Sequence, residues 1–466
     1  MRPVIRHSLP LLALSLAACA NVPQDQGFSS VARDVEARSG HQVAWLRDAE
    51  SRQMAADLTG SLLARPLTAE TATRIALVNN RDLQATFAAV GIATADAVQA
   101  ATPRNPVLDA AMKIPLEGGG VNLDFGLAFE FVDLLFLPAR GRIAAAEADA
   151  VRLRVTGEVL TLAARTRTAF IEVQAADRIA ALAAEAATVA QAEADAAQVL
   201  RDAGNITSAR LAQAHERLAA ARAAGSAAGN ALTAARERLT VAMGVSEDRW
   251  TAAGDLPGLP AQEPSAADLE RRALAASVDV AATRQDLVAV GERNGLTRRT
   301  AVLGEGEAGV AAERGGGDWE VGPSLAVPLP LFDLGGARTA RARAQVQQAE
   351  DRHAASRVRV ASAARQAAAA LERARGDAAL STDTALPASR EAAEQAVLHY
   401  NAMQTGVFDL LAARAAAIGA GQRHVAALAA YWTARARVDL LLQGGLPEAA
   451  STPSVTLAAD APRGNH

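Results

Sequence analysis

The chain has one cysteine, Cys19, in 466 residues. That excludes a disulfide framework within the chain and any cysteine-based metal cluster. Aromatic residues are 3% of the sequence, too few for an ordinary globular core of this length. The seven histidines are scattered without metal-ligand spacing. No glycine-rich loop stands at a strand–helix junction to cradle a phosphate. A net charge of −4 gives no reason to expect nucleic acid, which requires a basic patch. No catalytic set is present, so the sequence leads away from an enzyme. What is plentiful is alanine, and arginine carries almost all of the positive charge. Alanine is the best helix former and lets helices approach closely, which predicts long, thin helical packing with small residues at the seams.

The setting of Cys19 is informative. Arg2 and Arg6 are followed by an apolar run from Leu9 to Leu16, too short to span a membrane, so residues 1–18 read as a signal peptide. Leu16-Ala17-Ala18-Cys19 resembles the lipobox, which implies a covalent lipid on Cys19; no other cofactor is expected. Ala20 after the cysteine fits export to the outer membrane. Acyl chains anchor a protein without spanning the bilayer. Residues 19–66 read as a lipidated N-terminal extension, polar and irregular at first.

Residues 107–131 change the pattern to period two. Leu108, Ala110, Met112, Ile114 and Leu116 alternate with Asp109, Lys113 and Glu117. After Gly118-Gly119-Gly120, Leu123, Phe125, Leu127, Phe129 and Phe131 alternate with Asn122, Asp124, Gly126, Ala128 and Glu130. Each run is close to the ~9–11 residues with which a tilted strand crosses a bilayer, and glycine supplies the turn. A second such hairpin is expected over 300–328. There Glu305, Glu307, Asp318 and Glu320 lie opposite Trp319, Val321 and Leu325. The two hairpins sit in a two-fold internal repeat. Residues 67–243 hold a helix, the first hairpin and a helical hairpin. Residues 244–264 are a linker crossing the outside of the helical body. Residues 265–443 repeat the first unit, with a break near Pro387, and 444–466 form a Pro/Ala/Ser-rich tail expected to be disordered.

This order, with Gly322-Pro323-Ser324-Leu325, Val327-Pro328-Leu329-Pro330-Leu331-Phe332-Asp333, Gly335-Gly336 and the 400–411 segment YNAMQTGVFDLL, resembles the TolC/OprM family of outer-membrane efflux channels. The resemblance covers about residues 67–443. It implies a mainly α chain with a small β part. In a homotrimer, four strands per chain would close a twelve-stranded barrel, continuous with a long periplasmic α-helical barrel. Independently, four strands have two open edges and cannot stand alone in lipid.

The function so implied is an outer-membrane exit duct of a tripartite efflux system. Its partners would be a periplasmic adaptor, an inner-membrane pump of the RND type and outer-membrane lipid. The alternatives are the duct of a type I protein secretion system and a non-conducting coiled-coil envelope lipoprotein. By resemblance, Asp409, nine residues after Tyr400, stands at the periplasmic gate; a ring of carboxylates there would favour cations. Arg210 takes the corresponding place at the first tip and is a candidate bridge to Asp409 or to a backbone carbonyl. Gly204 and Gly406 at the tips are candidates for adaptor docking, or plain turn glycines. From the alternation itself, Asp109, Lys113, Glu117, Asp124, Glu130, Glu305, Glu307, Asp318 and Glu320 should face the lumen. Phe125, Leu127, Phe129, Trp319, Val321 and Leu325 should face lipid.

Overall fold

The computed structural model describes residues 22–114, 121–246, 249–261, 268–303, 307–315, 318–327 and 334–447. Cys19, Glu117, Glu305 and residues 328–333 lie outside them. Helices dominate. α1 spans Phe28–Ser39, α2 Ala49–Leu63, α3 Ala69–Asn79 and α4 Arg81–Ala100. Strands β1 (Val107–Lys113) and β2 (Asn122–Glu130) lead into α5 (Phe131–Asp202) and α6 (Ser208–Met243). The same order then recurs: α7 (Leu269–Ala276), α8 (Val278–Leu303), β3 (Glu307–Gly315), β4 (Asp318–Ala326), α9 (Gly336–Leu380), α10 (Leu386–Asn401) and α11 (Val407–Gln443).

Residues 22–66, expected to be irregular at first, hold two helices. Phe28, Val31, Val35 and Trp45 pack with Phe87, Val90 and Val155, which holds α1 against α4 and α5. A few large side chains on a polar segment suffice, because each buries much apolar area. Arg38 fixes the other end of α1. Its Nη1 donates to the Ala276 carbonyl at 2.7 Å and to the Gln443 carbonyl at 3.2 Å, where α7 and α11 end.

The helix that opens residues 67–243 is capped by Thr68, whose hydroxyl accepts from the Thr71 N–H at 3.1 Å. It is divided at Asn80. The Asn80 carboxamide oxygen accepts from the Leu83 N–H at 3.0 Å and so caps α4, while its Nδ2 donates to the Ala242 carbonyl at 3.0 Å. Ser277 does the same between α7 and α8, accepting from the Val280 N–H at 3.2 Å.

α5 is a continuous helix of 72 residues, about 108 Å at ~1.5 Å per residue. It begins at Phe131, the last residue of the period-two run, and it contains Pro138. Alanines such as Ala169, Ala175, Ala183, Ala190, Ala194 and Ala197 are buried along it. Near the strands the long helices lie in the order α4, α5, α8, α9; further away the order is α6, α5, α11, then α9 and α10. Pro387 sits in the first turn of α10, behind a π-helical turn over Ser381–Ala385. The Leu386 N–H reaches back to the Ser381 carbonyl. The wider turn absorbs the donor that proline lacks, and the helix continues rather than breaking.

Residues 249–261 lie across one side of this layer. Trp250 is buried among Leu67, Ile75, Phe170, Val173, Leu239 and Met243, and its indole N–H donates to the Thr240 hydroxyl at 3.2 Å. Gln174 of α5 donates to the Ala253 carbonyl at 2.9 Å, and Trp432 of α11 donates to the Pro257 carbonyl at 2.8 Å.

Candidate functional site

The four strands form one antiparallel sheet in the order β1-β2-β3-β4. Its register settles which side chains share a face. Leu108 pairs with Leu127, Leu127 with Val310 and Val310 with Pro323. Phe125 pairs with Ala312 and Ala312 with Val321. Phe125, Leu127, Phe129, Trp319, Val321 and Leu325 therefore lie on one face, all of them exposed. Phe125 and Trp319 approach with ring centroids 6.0 Å apart across the small Ala312. Arg314 sits at the end of this face over the Trp319 ring, at 5.9 Å. Phe131, Leu134 and Leu135, in the first turns of α5, are also exposed.

Asp109, Lys113, Asp124, Glu130, Glu307, Asp318 and Glu320 occupy the opposite face. Lys113 is the chain's only lysine and lies 2.5 Å from Asp124. Across the strands Asp124 opposes Glu313, and Glu313 opposes Glu320. Glu130 opposes Glu307. Like charges directly opposite destabilise a sheet unless water and counterions screen them, so this face requires a wet environment. No group of three His, Cys, Asp or Glu among the described residues is arranged to hold a metal. β2 and β3 also meet closely: a Cβ on Gly309 would lie 2.3 Å from the Leu127 carbonyl oxygen, which explains glycine there.

Where the sheet meets the helices, Arg104 binds both carboxylate oxygens of Glu130, at 2.9 and 2.8 Å. Arg140 pairs with Asp133, and Arg104 lies 3.5 Å from the same carboxylate. Glu130, read from alternation as a simple lumenal residue, is thus also part of this four-residue knot. Its partners sit outside the strands, where period two gives no signal.

At the far end are two helical tips. Gly204 has φ +79° and Met403 has φ +58°. The Asn205 N–H donates to the Leu200 carbonyl and the Gln404 N–H to the His399 carbonyl, both at 2.8 Å. Gly204 and Met403 are thus equivalent turn residues, and Gly406 is not the partner of Gly204. Gly406 has extended backbone and caps α11. Its N–H donates to the Asp409 carboxylate at 3.3 Å. Thr207 caps α6, accepting from the Arg210 N–H at 3.2 Å. Arg210 and Asp409 hold the same place in their helices. Within one chain they form no ion pair; the Arg210 guanidinium lies over the Phe408 ring at 4.7 Å.

Solved structures of outer-membrane channels share this arrangement of a four-stranded sheet and long helices. The structure of the outer membrane channel CmeC of Campylobacter jejuni matches with a TM-score of 0.70 at 16% identity, over 82% of this chain and 87% of that one. The outer-membrane channel OprN matches with a TM-score of 0.65 at 21% identity, over 88% and 94%. The outer membrane protein VceC of Vibrio cholerae matches with a TM-score of 0.65 at 15% identity, over 84% and 97%. At these identities the likeness is one of fold. No curated protein sequence matches significantly. Residues 73–245 match the family model of the outer membrane efflux protein, and the resemblance to TolC/OprM-like outer membrane efflux proteins is borne out.

Proposed function

We propose that this chain forms the exit duct of a tripartite efflux system in the bacterial outer membrane. One observation carries the reading: a four-stranded sheet with open edges at β1 and β4 leaves one face apolar and uncovered, the other acidic. A two-sided sheet with free edges needs apolar solvent on one side, water on the other and further strands at both ends. Three copies around an axis meet all three needs. Nine residues at ~3.4 Å each, tilted by about 40°, cover roughly 23 Å, close to the ~25 Å apolar band of such barrels. The helical layer has matching outer members, α6 on one side and α9 with α10 on the other, so one rotation joins both layers.

In this reading the two runs of the element order are an internal duplication. The acidic sheet face lines the lumen. Asp409 forms the periplasmic aperture with Arg210 beside it, and the tips around Gly204 and Gly406 receive a periplasmic adaptor linked to an RND-type pump. A lipid on Cys19 anchors the chain. The uncovered Phe/Leu/Trp face disfavours a non-conducting envelope tether, which needs no lipid-facing sheet.

Purified protein tests this in planar bilayers, with chemical cross-linking alongside. Discrete conductance steps, cation preference and a cross-linked trimer are expected. A monomer that never conducts would sink the proposal.

A further inference from the structure

On α5, Thr161, Arg165, Thr168 and Glu172 follow at spacings of four, three and four and so form one stripe. It lies on the side of α5 away from Phe170 and Gln174, which meet Trp250 and the 249–261 segment. This stripe is the floor of a concavity of about 560 Å³. Val241 and Arg238 of α6 form one wall, and Arg437 and Leu440 of α11 the other. That volume falls within the ~300–1,000 Å³ of small-molecule sites.

The charges in it are unevenly satisfied. Arg238 is paired with Glu172 at 3.0 Å. Other arginines on α5 and α6 are paired too: Arg154 with Asp286, Arg167 with Asp439 and Arg217 with Glu193. Arg165 and Arg437 have no ion-pair or hydrogen-bond partner among the described residues, yet both line this concavity from neighbouring helices. Glu237 on the α6 wall is the one carboxylate there without a partner. Three arginines against two glutamates leave the lining at +1. Two guanidinium groups facing one hollow repel each other, and an anion held between them removes that cost. Guanidinium forks match the oxygens of a carboxylate or sulfonate in a way that a point cation does not.

We propose that this concavity binds an amphipathic organic anion. Arg165 and Arg437 hold its carboxylate or sulfonate, and Val241, Leu440 and Ala164 receive its apolar body. The site belongs to a single chain. That it opens into the duct rests on the proposed trimer, where it would give anions a resting place in a passage whose ends are acidic.

Isothermal titration of naphthalene-2-sulfonate into the full chain in zwitterionic nanodiscs tests the site, with empty nanodiscs subtracted. Saturable binding at one site per chain is expected. The Arg165→Ala/Arg437→Ala variant should bind at least ten-fold more weakly, and naphthalen-2-ol should bind at least ten-fold more weakly than the sulfonate. Glu237→Gln keeps all three guanidinium groups and should tighten binding at least two-fold. Absent or non-saturable binding, an unchanged double variant, equal binding of the neutral naphthol, or weaker binding by Glu237→Gln would each overturn the proposal. Conductance is read separately, so a non-binding protein that still conducts defeats this site and leaves the duct intact.

Discussion

The Arg210 guanidinium lies 4.7 Å from the centre of the Phe408 ring, one residue from Asp409. α6 and α11 thus meet at their first turns through a cation–π contact, and Phe408 packs as well against the cluster formed by Ala190, Ala194, Ala197, Ala214 and Leu218. At an exposed site such a contact contributes about 0.5–1 kcal/mol. Phe408→Ala removes both the ring and the packing, whereas Arg210→Ala removes only the cation. Phe408→Ala should therefore loosen the tip more than Arg210→Ala, read as faster hydrogen exchange over 205–212 and 406–412. Equal effects would mean that the packing contributes nothing.

Asp409 has one observed task and one proposed one, and a single substitution separates them. Its carboxylate accepts the Gly406 N–H, a local role that Asn can keep. Its charge would define the aperture. Asp409→Asn should preserve thermal stability within about 0.5 kcal/mol yet lower cation selectivity in planar bilayers, and Asp409→Ala should do both kinds of damage. Unchanged selectivity and conductance in both variants would remove Asp409 from the gate.

How much of this was legible depended on how many environments each segment faces. The strands carry two unlike faces, so Phe125, Leu127 and Phe129 stood out against Asp124 and Glu130, and the register puts the two sets on opposite sides of the sheet. The start of α5 was not legible, because Phe131 continues the period-two run while the same residue opens a helix. The packing of α1 was not either; Val31, Val35 and Trp45 are too sparse to make a stripe. Arg165 and Arg437 lie on alanine-rich helices, where spacing alone cannot distinguish a pocket from a solvated face.

The sheet faces make opposite predictions for neighbouring residues. Leu127 points to the exposed apolar face and Ala128 to the polar one. An arginine on a lipid face costs about 2–4 kcal/mol near the bilayer midplane. Leu127→Arg should prevent outer-membrane assembly, while Ala128→Arg should assemble normally. Fractionation and a cross-linked trimer provide the readout, and the reverse pattern would mean that the faces are inverted.

His424 predicts a pH dependence. Burial, and secondarily the Arg390 charge, lower its pKa below the usual 6.5. Its Nδ1 sits 3.3 Å from the Ser381 hydroxyl in the π-helical turn, and Arg178, Arg414, Glu185 and Glu394 line the same hollow. The folded state disfavours the imidazolium, so the unfolded chain binds more protons as pH falls through about 6.5. The contribution is therefore fully present above pH ~6.5 and is lost on acidification towards the folded pKa. His424→Gln should flatten the fall in melting temperature between pH 7.5 and 5.5. A fall as steep as in the parent would assign the pH dependence to other groups.

Met403 is a non-glycine residue at φ +58°, and it is 94% exposed. Gly204 fills the equivalent turn at φ +79°. A left-handed backbone costs an L-residue roughly 1–2 kcal/mol, and a side chain this exposed recovers little of that within the chain. Met403→Gly gives up a few tenths of a kcal/mol through the greater freedom of the unfolded chain, so a net stabilisation of about 0.5–1 kcal/mol is expected. Gly204→Met should destabilise by a similar amount, since it installs the same strain at the other tip. Paired denaturant titrations check both. If Met403→Gly is neutral or destabilising, the methionine side chain makes a contact in the assembled protein that offsets its strain, and weaker trimer cross-linking by Met403→Gly would locate that contact between copies.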